Sequence, residues 1–130
     1  MTKICTTIEQ SKKLLKLGVD INSADMHYAT WTILDGEFIV SPNQGSTIEN
    51  LQEDYGNQII PCWSLTSLLD YIKDKCGFFE LVYLRITFDG RENKLENVYR
   101  LSTDVYNVYQ KDAVDACVEL IIKLHEQKLL

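Results

Sequence analysis

A chain of 130 residues, 45% hydrophobic and 25% charged, has the composition of one globular domain able to bury roughly two-thirds of its unfolded surface, and this excludes a largely disordered protein. With 13 basic against 19 acidic residues and a net charge of −6, a surface that must neutralise several phosphates is unfavourable, so nucleic-acid binding is disfavoured. No apolar run is long enough to span a bilayer and Met1-Thr2-Lys3-Ile4-Cys5 lacks the apolar segment of a secretory signal, so the expectation is a cytoplasmic protein without membrane contact.

The first element is a helix from Thr6 to Leu17, with Thr6 and Glu9 spaced as a capping box and Gly18 as its stop. Ile8, Leu14, Leu15 and Leu17 form its apolar face, and Lys12, Lys13 and Lys16 read as a solvated side. A hairpin follows, turning at Asp35-Gly36, a dipeptide suited to a type I′ loop. That turn sets Ile33 opposite Phe38 and Trp31 opposite Val40. The stretch Pro42 to Asn57 is a polar connection with at most one helical turn around Thr47 to Gln52. Its length makes it a place to look for function.

The clearest local signal is Ile60-Pro61-Cys62-Trp63-Ser64-Leu65-Thr66-Ser67-Leu68-Leu69-Asp70-Tyr71-Ile72. Ser64 is placed to cap a helix whose Leu65, Leu68, Leu69 and Ile72 share one face, and Trp63 can pack on Leu68 as a hydrophobic staple. From Glu80 to Phe88, Val82, Leu84, Ile86 and Phe88 alternate with Tyr83, Arg85 and Thr87, as in a half-buried strand. Around Asp89-Gly90 the chain reverses into Asn97 to Leu101, and Asp112 caps a last helix reaching about Gln127. The pattern predicts a single α+β domain over residues 1–130, with an antiparallel sheet built from two hairpins and about three helices packed on it.

Chemistry is harder to find than architecture. Asp25 and His27, beside Tyr28, have the spacing of a base with its orienting carboxylate or of two metal ligands, and Cys62 or Cys5 could supply a nucleophilic thiol to a histidine. Two ligands do not close a zinc site. The remaining candidates, His125, Cys76 and Cys117, have no spacing that predicts convergence. Asp25, His27 and Cys62 are therefore the candidate catalytic residues, and no metal site or cofactor is expected. GxSxG, HExxH, P-loop and GxGxxG fingerprints are absent. Tyr99, Tyr106 and Tyr109 suit a recognition surface or the rim of the core. In the last helix Ala113, Cys117, Leu120 and Leu124 are assigned to the sheet. Val118 and Ile122 lie on a flank that the first helix or a second copy of the chain in a homodimer could cover.

The Ala24-Asp25-Met26-His27-Tyr28 stretch, the Ile60-to-Ile72 motif, the Asp115-Ala116-Cys117-Val118-Glu119-Leu120-Ile121-Ile122-Lys123-Leu124 helix and the opening Ser11-Lys12-Lys13-Leu14-Leu15-Lys16-Leu17-Gly18, in that combination and order, resemble small uncharacterised proteins of phages and mobile elements of gut Bacteroidetes. The resemblance implies a mobile-element setting and assigns no functional residue. The expectation is a non-enzymatic accessory protein acting through a protein partner. The alternative is a small metal- or thiol-dependent enzyme using Asp25 and His27.

Overall fold

The computed structural model describes residues 3–30, 38–55, 59–87 and 95–127. Among them are four α-helices, a 3-10 turn at Ile21–Ser23 and six strands forming two three-stranded antiparallel sheets, an α+β fold. Internal contacts divide the chain into two compact units, Ile4–Leu68 and Met1–Lys3 with Leu69–Leu130. No helix among the described residues is long and apolar enough to cross a membrane.

In the Ile4–Leu68 unit, helix α1 (Ile8–Leu17) is capped by Thr7, whose hydroxyl accepts from the Gln10 backbone N–H at 3.1 Å while the Gln10 side chain accepts from the Thr7 N–H at 3.0 Å. The box lies one residue beyond the expected Thr6–Glu9 pair because Thr6 is engaged elsewhere. Fully buried, its hydroxyl accepts from the Trp63 N–H at 3.0 Å and lies 2.8 Å from the Ser11 hydroxyl. Gly18 ends the helix at φ 96°, a left-handed conformation that a side chain would disfavour, and Val19 N–H returns to the Leu14 carbonyl.

Strands β1 (Met26–Thr30), β2 (Phe38–Pro42) and β3 (Ile59–Cys62) form a sheet in the order β2-β1-β3. The register sets Val40 opposite Tyr28 and Phe38 opposite Thr30, not opposite Trp31 and Ile33. That is a slip of three residues relative to the expectation from a two-residue turn. An odd slip exchanges the faces of one strand relative to the other. The Asp35-Gly36 turn itself, with Trp31 and Ile33, lies outside the described residues.

The connection after β2 is more structured than its composition suggests. Asn43 to Ser46 make a tight turn closed by Ser46 N–H to the Asn43 carbonyl, with Gln44 at φ 53° and Gly45 at φ 87°. Helix α2 (Ile48–Tyr55) then runs for two turns, the Thr47 hydroxyl accepting from Asn50 N–H and the fully buried Ile48 anchoring it. The single turn expected at Thr47 to Gln52 underestimated it, because Ile48 and Leu51 alone carry its apolar face.

Helix α3 (Leu65–Cys76) begins where the sequence predicts, with the Ser64 hydroxyl accepting from Ser67 N–H at 3.2 Å. Trp63 and Leu68 are both fully buried, as a staple requires. The buried face is centred on Ser67, Leu68, Tyr71 and Ile72, leaving Leu65 and Leu69 half-buried.

In the other unit β4 (Glu80–Thr87), β5 (Leu95–Ser102) and β6 (Asn107–Gln110) form a sheet in that order. The expected Asp89-Gly90 turn and Phe88 lie outside the described residues. Strand β6 was not anticipated. It is four residues long with only Val108 buried, too short to show alternation. The two hairpins thus belong to two sheets rather than one, each completed by a third strand. Helix α4 (Ala113–Glu126), capped by Asp112 through Asp115 N–H at 3.1 Å, packs across β5 and β6. Its Ala113, Val114, Ala116, Cys117, Val118, Leu120, Ile121 and Leu124 are buried, which places Val118 in the core and leaves Ile122 half-buried.

Candidate functional site

Antiparallel partners directly across a ladder share a face, and neighbours along a strand alternate. In the first sheet His27, Ser41, Ala29 and Ile59 therefore occupy one face, and Tyr28, Val40, Ile60 and Cys62 the other. This separates the candidate catalytic residues. His27 and Cys62 point away from each other across the sheet; the Asp25 carboxylate accepts from the Ser64 N–H at 2.9 Å and the Ser64 hydroxyl at 2.5 Å, orienting the cap of α3, and its negative charge acts to raise the Cys5 and Cys62 thiols.

On the first face, His27 is only 8% exposed and lines a cleft of about 340 Å³ with Ser41, Asn43, Ser46, Leu51 and Ile59. Asn43 is held by the tight turn that follows it. Its backbone N–H donates to the Asp25 carbonyl and its side-chain amide donates to the Ala24 carbonyl at 2.9 Å. With the amide nitrogen engaged there, Asn43 Oδ1 faces His27 Nδ1 at 2.8 Å and accepts from it, which fixes the orientation of the ring. No group of three or more His, Cys, Asp or Glu side chains is arranged to hold a metal ion among the described residues.

On the second face, Cys5 pairs with Ser64 through one isolated β-bridge, which brings its thiol to the side of the sheet occupied by Cys62 and Tyr28. Cys5 Sγ donates to Tyr28 Oη at 3.6 Å, and that hydroxyl donates to the Thr6 carbonyl at 2.8 Å. The hydrogen bond with the Cys62 thiol holds the Cys5 pKa down to about 7, against its burial and with help from Tyr28, while the same contact and burial push Cys62 up. Burial, reinforced by the Cys5 hydrogen bond, raises the Tyr28 hydroxyl. Cys117, buried in α4, is pushed up to about 12 by desolvation, and Cys76 is raised for the same reason. Sequence spacing missed the Cys5 and Cys62 pairing because it arises from a strand contact between distant segments.

The second sheet carries the exposed aromatic surface. Leu81, Tyr83 and Arg85 of β4 share a face with Asn97, Tyr99 and Leu101 of β5 and with Val108 and Gln110 of β6. Helix α4 buries Leu101 and Val108, and its Glu119 accepts from the Gln110 amide at 3.0 Å. Beyond the helix Tyr83 remains 60% exposed, with its ring centroid 4.8 Å from that of Tyr99 at a 43° tilt and Arg85 exposed beside it. Tyr109 shares the opposite face with Arg100, and Tyr106 closes the β5–β6 turn on Thr103, so the three expected tyrosines do not form one patch. In the sequence Tyr83 shows only as part of the alternation along β4. His125 lies in α4, 3.2 Å from the Tyr71 hydroxyl, and burial lowers its pKa with the help of Lys75. No family model, curated protein or solved structure matches the chain.

Proposed function

We propose that the protein is a non-enzymatic accessory protein that acts by binding another protein, and that the Tyr83–Tyr99 row with Arg85 is its contact surface. One observation carries the reading: Tyr83, exposed on the edge strand β4, meets the half-buried Tyr99 of the central strand β5 ring to ring, with the exposed Arg85 on the same face. Exposed tyrosine and arginine are the side chains that most often anchor protein interfaces, since each combines a large contact area with hydrogen-bonding tips. A partner suited to this surface offers an apolar shelf for the rings and a carboxylate for Arg85. The phage or mobile-element setting rests on the sequence resemblance. A homodimer is the case in which the partner is a second copy.

The test is comparative. Tyr83→Ser with Arg85→Glu should leave the melting temperature within a few degrees of wild type and reduce recovery of the native-host partner at least about tenfold, the effect of losing an anchor residue. Equal recovery by the two proteins refutes the assignment. A second reading, a small metal- or thiol-dependent enzyme, is favoured by the cleft at His27, whose ring the Asn43 contact orients; Asp25, the other residue of that reading, turns its carboxylate to Ser64 and does not line the cleft. Metal analysis of purified protein separates the two: stoichiometric metal lost in His27→Ala favours the enzyme.

A further inference from the structure

The geometry points to Cys5 and Cys62 as one thiol–disulfide couple, with Cys5 the attacking thiol and Cys62 the resolving thiol. The two residues come from distant segments, yet the Cys5–Ser64 bridge and the β1–β3 register set both side chains on the same face of the sheet as Tyr28. A cysteine that only fills core space needs no polar company. Cys117 shows that arrangement, fully buried within the apolar face of α4. Cys5 differs: the Tyr28 hydroxyl lies 3.6 Å from its Sγ and the Cys62 thiol shares its face of the sheet, and these two neighbours favour its thiolate against the opposing effects of burial and of the Asp25 charge.

Access also distinguishes the two thiols. Cys62 is 0% exposed and sits within β3, whereas Cys5 is 5% exposed and follows the exposed Ile4 in a segment held by the Cys5–Ser64 bridge and by Thr6, which exchanges two hydrogen bonds with Trp63 and accepts one from the Tyr28 hydroxyl at its carbonyl. Opening that short pairing uncovers Cys5 and leaves Cys62 in place. The oxidant class is a low-molecular-weight disulfide. The Cys5 thiolate attacks one of its sulfurs, a bond forms to Cys5, and the other half leaves as a thiolate that takes a proton from solvent. Cys62 then loses its proton and attacks Cys5 Sγ, expelling the second half of the reagent. Two protein thiols become one disulfide, and two electrons convert the reagent into two free thiols. The product fastens the segment preceding α1 to β3.

Native protein incubated with glutathione disulfide, quenched in acid and digested without reduction, should yield a Cys5–Cys62 linked peptide. Cys62→Ser should instead retain glutathione on Cys5, and Cys5→Ser should yield neither product. In parallel, the pH midpoint of Cys5 alkylation by iodoacetamide should lie near 7 in the wild type and move toward 9.0 in Cys62→Ser. The wild-type measurements need no variant, so a poorly folding mutant does not obscure the result. Glutathione that persists on Cys5 in the wild type, linkage that forms only after denaturant is added, or a Cys5 alkylation midpoint at the ordinary thiol value overturns the assignment.

Discussion

Replacing Trp63 with alanine tests the packing of the Ile4–Leu68 unit at a fully buried aromatic side chain. Trp63 is 0% exposed, its indole N–H donates to the Ser23 hydroxyl at 2.9 Å, and its backbone exchanges hydrogen bonds with Thr6 through the Trp63 N–H to Thr6 Oγ1 and the Thr6 N–H to Trp63 carbonyl contacts. The backbone bonds survive the substitution, whereas the ring leaves a cavity; truncating a buried aromatic costs about 3–5 kcal/mol. Against a typical stability of about 5–15 kcal/mol this removes a large share, and at this chain length it lowers the melting temperature by about 10–20 °C. Trp63→Phe keeps most of the volume and loses the Ser23 bond, so it should cost about 1–3 kcal/mol. Urea unfolding followed by circular dichroism measures both, with an unchanged slope showing that the unfolded ensemble is the same. A Trp63→Ala protein within about 1 kcal/mol of wild type refutes the staple and the buried role of the ring.

Asp25→Ala removes the acceptor that orients Ser64 and should cost about 1 kcal/mol, while leaving the His27 ring resonances unchanged because His27 is held by Asn43. Val118→Glu, which buries a carboxylate in the face of α4, should destabilise by more than about 3 kcal/mol, whereas Ile122→Glu at a half-buried position should stay folded; equal losses would show that the flank is all core. If a homodimer uses that flank, light scattering should show a wild-type dimer and an Ile122→Glu monomer, and a monomeric wild type at high concentration ends that reading. Because burial lowers the pKa of His125 from 6.5, the unfolded chain takes up a proton before the folded one as pH falls. This contribution to stability is lost progressively below pH 6.5, and His125→Gln should flatten the decline; an unchanged profile contradicts the shift.

What the sequence displays most clearly is local. Ser64, Asp112 and Gly18 act within a turn of helix and were readable from their neighbours, as was the alternation along β4 that leaves Tyr83 and Arg85 exposed. What it conceals depends on distant partners. Thr6 looks like a cap until Trp63 claims its hydroxyl, and Val40 lies opposite Tyr28 rather than Trp31. Asp25 and His27 are two residues apart yet serve Ser64 and Asn43, because alternation and the turn at Gln44-Gly45 send them to different neighbours. Cys5 and Cys62 meet only through an isolated bridge, for which spacing offers no signal.

The central claim, a partner bound at the tyrosine row, is tested most directly by placing a photo-crosslinking amino acid at position 83 and, as a control, at the exposed position 70 on α3, in the native host. The account predicts one specific protein crosslinked from position 83, absent from position 70 and lost when Arg85→Glu is added. The same products from both positions, or crosslinking from position 83 that Arg85→Glu leaves unchanged, would contradict it.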